Sequence, residues 1–392
     1  MVNSADDAAS GAFRLVVAGG GTGGHTYPAL TAIRTLQARS AASGGTLDVL
    51  WIGTAEGLEA RVASAEGIPF TAVATGKIRR SANPLKMVSP ANVRDMARVP
   101  LGVAQARKAV AEFRPDVVLA TGGYVAVPTG LAARMCKVPL VLHEQTVRLG
   151  LANRRLAGSA ARIAVSSESS LPLLPQSVRS AVVVTGNPVR PEVLAGHPDK
   201  AVTALGLTFD RRLPTVYITG GAQGSQQIND LVGGELLWLL ERANVVHQCG
   251  IAHREALSAR AAGLPAAMAA RYHLTPFVGP ELPDVLALAD LVISRSGAGT
   301  LAELTALGKP AVFIPLASAA GDEQAHNARH LAASGAAVAL LGEVTGGDLR
   351  DAVGPLLEDS ARREAMARAA RAHGRPDAAD RLVDLLLSAA SG

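Results

Sequence analysis

Aromatic residues make up only 3% of this 392-residue chain, too few for the base-stacking surfaces that single-stranded nucleic acid requires. Cysteine is equally scarce. Cys136 and Cys249 lie far apart, form no metal-ligand spacing, and suit a reduced, cytosolic setting with no disulfide framework. No run reaches about 18 uninterrupted apolar residues, so no membrane-spanning helix is expected. There is no Asp-x-Asp anywhere, so the carboxylate pair that would bridge Mg²⁺ to a sugar nucleotide is missing, and neither a metal nor a cofactor is expected. A Walker loop and a G-x-S-x-G elbow are absent too, which sets aside P-loop and nucleophile-elbow chemistry. The opening MVNSADDAASG has two Asp, no basic flank and no apolar core. Residues 1–12 therefore read as a disordered start and not as a signal peptide.

Apolar residues account for 48% of the chain, and the length exceeds what one core usually supports, so two domains are expected. The net charge of +5 suits a phosphorylated ligand or an anionic membrane surface as well as nucleic acid; position must decide. The most informative stretch is Leu15 to Leu30, LVVAGGGTGGHTYPAL, where a short β-prone run enters five glycines in six positions. The glycines permit positive φ and close approach to the backbone, and the N–H groups of a following helix would point at an incoming anion. Gly19, Gly21 and Gly24 also satisfy the dinucleotide pattern G-x-G-x-x-G, a weak signal alone. The next strand, Leu47 to Ile52, ends in Gly53 and Thr54 where that reading wants an acid, with Glu56 just beyond. An oxidoreductase is thereby weakened.

Strand and helix then alternate, with helices near Ala29–Ser40 and Leu58–Ala65, as parallel βα units do. The chain also echoes itself. Asp116 to Glu144 runs strand, Gly pair, small-residue helix, Lys-x-Pro, strand; Asp290 to Pro315 repeats that order with a Lys-Pro. Thr215 to Ser225, TVYITGGAQGS, echoes the opening loop. Each half thus holds its own βαβ series, and two such domains would leave a cleft between their loops. Thr185 to Pro191, TGNPVRP, reads as the hinge. The expected division is 13–187, 188–375 and a C-terminal helix in 376–392. Helices at Ala361–Arg371 and Asp377–Ala390 are expected to pack on the outside. Between Lys77 and Lys108, the cations Lys77, Arg79, Arg80, Lys86, Arg94, Arg98, Arg107 and Lys108 meet a single acid, Asp95. With interleaved Leu85, Met87, Val88, Met96, Val99 and Leu101 this suits an anionic lipid surface, at about 1 kcal/mol per nearby cation. A solvated helix face is the alternative.

Four places could carry chemistry. His25 follows the glycine loop and could take a proton from a sugar hydroxyl, or merely donate to a phosphate or cap the helix. His143, Glu144 and Gln145 close a strand where ligands of open α/β sheets gather, unless the first two only pair with each other. In SGAGTLAE, 296–303, small residues leave helix N–H groups free for a diphosphate, and Glu303 could accept two ribose hydroxyls. In DEQAHN, 322–327, adjacent Asp, Glu and Gln could ring a sugar, or Asp322 could simply cap. Without a metal, diphosphate charge would fall to helix ends and to Arg190 or Arg295.

Taken in order, GGGTGGHTYPAL, ATGKIRR, GGYVAVP, HEQT, TGNPVR, GGAQGS, SRSGAGTLAE and DEQAHNA resemble the MurG family of glycosyltransferase family 28, over roughly residues 13 to 375. The resemblance implies a GT-B fold, α/β with two Rossmann-like domains facing across a cleft, the first binding acceptor and the second binding donor. It implies inverting, metal-independent transfer of N-acetylglucosamine from UDP-N-acetylglucosamine to the 4-hydroxyl of undecaprenyl-diphosphate-linked N-acetylmuramyl-pentapeptide, lipid I to lipid II, in peptidoglycan synthesis. By motif, Thr22, Gly23, Gly24 and His25 would meet the acceptor's diphosphate and reacting end, the first three counting also as donor contacts. His25 and Glu144 are the catalytic candidates. Tyr124, His143, Gln145 and Thr146 would line the acceptor side. Arg190, Ser225, Val278 by the uracil, Gly299, Thr300, Glu303 at the ribose, and Glu323 with Gln324 at the sugar would hold the donor. Family members work peripherally on the cytoplasmic face of the membrane, in keeping with Lys77, Arg79, Arg80, Lys86, Arg94 and Arg98, and nucleic acid is no partner.

Two departures stand out. The family usually has Ser and Ala where this chain has Ala222 and Ser225, and Asn where it has Thr146. They leave open a paralogue with a different, natural-product acceptor. A non-catalytic nucleotide-sugar binding protein is the alternative outside enzymes.

Overall fold

Uninterrupted apolar runs such as Leu15–Ala18 and Val117–Ala120 are what strands covered on both faces look like, and all eight of these residues are completely buried. The computed structural model describes residues 12–76, 90–316 and 322–392, without the side chains of 90–97. It divides into two units, Met1–Pro188 with Asp377–Gly392, and Val189–Pro376.

The first unit is one parallel seven-stranded sheet in the order β3-β2-β1-β4-β5-β6-β7. Its strands are β1 Phe13–Gly19, β2 Leu47–Gly53, β3 Phe70–Ala72, β4 Val117–Gly122, β5 Leu140–Glu144, β6 Arg162–Val165 and β7 Val182–Val184. Helices α1 Gly23–Ala42, α2 Leu58–Ala65, α3 Pro90–Phe113, α4 Ala126–Met135 and α5 Leu151–Leu156 connect them. The order reverses between β1 and β4, the crevice where open α/β sheets bind ligands. Helix α1 starts at Gly23, six residues before the expected Ala29, so Gly23, Gly24 and His25 form its first turn.

The second unit is a parallel six-stranded sheet in the order β10-β9-β8-β11-β12-β13, reversing between β8 and β11. Its strands are β8 Thr215–Thr219, β9 Asn244–Gln248, β10 Tyr272–Thr275, β11 Leu291–Ser294, β12 Ala311–Phe313 and β13 Val338–Ala339. Helices α6 Gln226–Gly234, α7 Ala298–Leu307 and α8 Glu323–Ala333 follow β8, β11 and β12.

The echo read in the sequence has a structural basis. Asp116, before β4, accepts from the Arg14 amide at 2.7 Å. Asp290, before β11, accepts from the Thr215 amide at 2.8 Å. The same carboxylate device starts the central strand of each sheet.

The last helix, α9, Ala378–Ala390, packs one face onto the first unit and leaves Asp380, Arg381 and Asp384 exposed. Leu382, Val383 and Leu386 are completely buried with Leu15, Val17, Ile33 and Leu36 of the first unit. Their i, i+1, i+4 spacing forms one apolar stripe, each such side chain stabilising by about 1.5–3 kcal/mol on burial. Arg39 of α1 pins the helix through Asp380, at 2.7 Å, and Asp384. Among the described residues no helix is long and apolar enough to cross a membrane. Residues 1–11, with Lys77, Arg79, Arg80 and Lys86, lie outside the described residues, as does the Arg94 side chain; Arg98 is exposed.

Candidate functional site

In the first unit the chain leaves β1 through Gly20, Gly21 and Thr22 and enters α1. Behind this loop is Glu59 of α2, completely buried and not singled out in the sequence. Its carboxylate accepts from the amides of Gly21 at 3.1 Å and Thr54 at 3.0 Å, and from the Thr54 hydroxyl at 2.6 Å. Burial pushes its pKa up, but the Thr54 and Gly21 bonds outweigh it and hold the carboxyl below its ordinary value. Glycine is required around it, since a Cβ at Gly20 or Gly57 would fall 2.3 Å from the carboxyl carbon.

His25 emerges half-buried from the first turn of α1. Its Nδ1 lies 2.9 Å from the Thr121 carbonyl oxygen and 3.0 Å from Gln145 Oε1. Both are acceptors, so Nδ1 carries a proton, and in the neutral ring the lone pair is on Nε2. The β1–β4 register slips by one residue at Thr121, pairing Ala18 with Ala120 but Gly19 with Gly122; such a bulge re-aims the backbone beside a site. Gly122, at φ +110°, leaves the room the imidazole fills, for a Cβ there would be 2.7 Å from Nδ1. Tyr124 lies half-buried against Gly21.

The HEQT residues are brought to this place but turned inward. His143 is fully buried and donates from Nε2 to the Gly186 carbonyl at 3.1 Å. Burial, against that bond and reinforced by nearby His25, lowers its pKa to about 4, so it is neutral near pH 7. Gln145 Nε2 donates to the Thr121 carbonyl at 2.7 Å and to His143 Nδ1 at 3.0 Å. Glu144, 2% exposed, accepts at Oε1 from the Thr146 amide and hydroxyl and at Oε2 from the Gly150 amide and Asn153 Nδ2, at 2.8–3.2 Å. That arrangement clamps the loop into α5. The Thr146 hydroxyl lies 2.9 Å from Glu144 Oε1 and 2.6 Å from the Arg148 carbonyl oxygen, two acceptors that share its one proton. His143 and Gln145 likewise are buried, with their polar atoms in internal bonds.

In the second unit the candidates gather at the carboxyl ends of β8, β10, β11 and β12. Ser225 caps α6, its hydroxyl accepting from the Ile228 amide at 3.3 Å and from Arg295 at 2.6 Å. The Ser225 side chain thus faces inward, while Gly221, Ala222 and Gln223 of its loop are exposed. Arg295 also donates to Gln227 at 2.8 Å and to the carbonyls of Ile314 and Pro315, at 2.8 and 2.9 Å. Burial lowers its pKa from the ordinary value. Helix α7 opens at Gly297, with open space around Gly299 and Thr300 next in line. One turn on, Glu303 takes both Arg190 contacts, 2.9 and 2.8 Å, on Oε1. Burial raises its pKa, and Arg190 opposes that.

Val278 is buried in the core and gives its amide to Gln248 Oε1 at 2.9 Å, so only its carbonyl could meet a base. Phe277 beside it is 58% exposed. Gln248, missed in the sequence, also donates to the Gly221 carbonyl at 2.9 Å and so ties two loops together. Gln324 Oε1 accepts from the Leu316 amide at 2.9 Å, and its neighbour Glu323 is half-buried. Asp322 has a left-handed backbone, φ +58°, and its side chain does not cap α8. Residues 317–321 lie outside the described residues. Among the described residues no group of three or more His, Cys, Asp or Glu is placed to hold a metal.

Comparison with known proteins agrees with both halves. Residues 15–165 match the glycosyltransferase family 28 N-terminal domain, and 215–382 match the family 28 C-terminal domain. A UDP-N-acetylglucosamine--N-acetylmuramyl-(pentapeptide) pyrophosphoryl-undecaprenol N-acetylglucosamine transferase of Listeria monocytogenes is 35% identical, over 96% of this chain and 99% of its own. The transferase of the same name from Halalkalibacterium halodurans is 36% identical, over 94% and 97%. The crystal structure of Acinetobacter baumannii MurG superposes with a TM-score of 0.74 at 29% identity, covering 96% of this chain and 99% of that one. With both sheets reversing at their glycine loops and near full-length kinship of this kind, the chain belongs to the MurG family of family 28 glycosyltransferases and has its GT-B fold.

Proposed function

We propose that this protein transfers N-acetylglucosamine from UDP-N-acetylglucosamine to the 4-hydroxyl of a lipid-linked N-acetylmuramyl pentapeptide, inverting the anomeric carbon without a metal ion. The names of its Listeria and Halalkalibacterium relatives support the substrates. The observation that carries the chemistry is His25, whose Nδ1 proton is committed to two acceptors. Nε2 then accepts the proton as the hydroxyl oxygen attacks, the bond from the anomeric carbon to UDP breaks, and the diphosphate leaves with its electron pair. General-base help of this kind is worth roughly 10²–10⁴-fold. The base is His25 in this reading, with Glu144 holding the adjoining loop.

The donor belongs to the second unit. The Gly299 and Thr300 amides at the start of α7 face the diphosphate, with the Arg295 charge beneath the Ser225 loop. Oε2 of Glu303 takes ribose hydroxyls while Arg190 steadies Oε1. The Val278 carbonyl meets uracil, and Glu323 and Gln324 hold the sugar. The acceptor meets Thr22, Gly23, Gly24 and Tyr124. Its lipid places the protein on the cytoplasmic face of the membrane, peripherally, through Lys77, Arg79, Arg80, Lys86, Arg94 and Arg98. The test is incubation with UDP-N-acetylglucosamine and a short-chain lipid I analogue. UDP release that persists in EDTA supports the reading; tight UDP binding with no turnover on that acceptor overturns it.

A further inference from the structure

We infer that His143 and Gln145 are positioning residues, a hydrogen-bonded relay from the Gly186 carbonyl that holds His25 in the tautomer needed for base catalysis. The inference rests on the reading of His25 as the base and deepens it.

The chain of donors and acceptors has one consistent assignment. The Gly186 carbonyl can only accept, so His143 carries its proton on Nε2, 3.1 Å away. His143 Nδ1 is then an acceptor, and the group facing it at 3.0 Å must be the amide nitrogen of Gln145. The Thr121 carbonyl, 2.7 Å from the same nitrogen, enforces that orientation a second time. Gln145 Oε1 is thereby aimed at His25 Nδ1, 3.0 Å away, and can only accept. With the Thr121 carbonyl at 2.9 Å, two acceptors confront Nδ1 and none faces the amide of Gln145 the wrong way.

Were the Gln145 amide turned over, its N–H groups would oppose the Nδ1 proton and push the ring toward the other tautomer or out of position. His143 prevents this only while neutral, and its complete burial keeps it so. The other titratable groups flanking the loop are Glu144 of β5, Tyr124 after β4 and Glu59 of α2. Neither carboxylate is hydrogen-bonded to the ring, for they are held by Thr146, Gly150 and Asn153 and by Thr54 and Gly21. The relay also gives a reason for an amide and a histidine inside the sheet, where an acceptor-binding role would want them exposed.

The test uses full-length protein labelled with ¹⁵N-histidine and long-range ¹H–¹⁵N NMR, which reads each ring's tautomer without turnover. The wild type is expected to show His25 protonated at Nδ1 and His143 protonated at Nε2, with His143 still neutral at pH 5.5. Gln145→Met, equal in length but without either polar atom, is expected to lower kcat about 5- to 10-fold, the loss of roughly one hydrogen bond. Both KM values should stay within about two-fold, and the His25 signal should no longer be a single tautomer. Gln145→Glu puts a carboxylate beside Nδ1 and is expected to move the acid limb of the kcat profile up by about one pH unit. His25 protonated at Nε2 in the wild type overturns the relay. So does Gln145→Met with wild-type kcat and tautomer while His25→Gln is inactive, which leaves the base reading standing. Full activity of His25→Gln instead removes the base reading, and the relay's purpose with it.

Discussion

The glycine loops of the two units share a strand-loop-helix outline and differ in the charge behind them. The loop after β1 is backed by a buried carboxylate, Glu59, which already consumes the Gly21 amide. The loop after β8 is backed by Arg295, bonded to the capping Ser225. A diphosphate is favoured over a buried cation and opposed over a buried anion, so the two loops are not interchangeable anion sites. The first unit puts His25 in the first turn of the helix that follows, where the second has the Ser225-capped start of α6. The buried cation thus favours a diphosphate at the second unit's loop, while the proposed proton transfer rests on His25 in the first.

Several substitutions would break or sharpen that contrast. The largest effect is expected from His25→Gln, a fall in kcat of roughly 10²–10⁴-fold with UDP affinity unchanged in a titration. A matching loss of UDP binding would erase the division of labour. Next, Leu386→Ala empties a fully buried position in α9 and is expected to cost about 2–5 kcal/mol, read by urea unfolding as an earlier transition of the first unit alone. Glu303→Ala acts on the other side. Loss of a charged partner for ribose hydroxyls, worth about 1.5–3 kcal/mol, should raise donor KM by roughly 10- to 150-fold and leave acceptor KM alone.

A smaller change is expected from Glu59→Gln, about 1–3 kcal/mol of stability, as an amide donor comes to face the Gly21 amide. The folded carboxyl titrates below its ordinary 4.5, so its contribution is complete above that value and is lost as pH falls through the folded pKa. The gap between wild type and Glu59→Gln in unfolding experiments should therefore narrow as pH falls below 4.5. The smallest effect is expected from chelation, where EDTA should leave the initial rate of UDP release unchanged.

Much of the architecture could be read from the chain because local rules suffice for it. Continuous apolar runs between glycine turns are buried parallel strands, and the repeated Asp-strand-glycine order marks two similar sheets. The family motifs likewise named most residues at the two sheet reversals. Roles were harder to read. Glu144 and His25 look alike as candidate bases in sequence, and only the fold shows the Glu144 oxygens taken by Thr146, Gly150 and Asn153. Glu59 resembles any first-turn helix acid until the loop it holds, 38 residues earlier, folds against it.

The sequence by itself determined the element order, the echo and the placing of small residues where a backbone must be approached, since these depend on neighbours within a few positions. Tertiary structure decided which polar groups face one another: the proton on His25 Nδ1, the neutral His143, the cation under Ser225, and a last helix packed into the first unit. Hydrogen-bond direction and burial are properties of groups distant along the chain, and no local pattern encodes them.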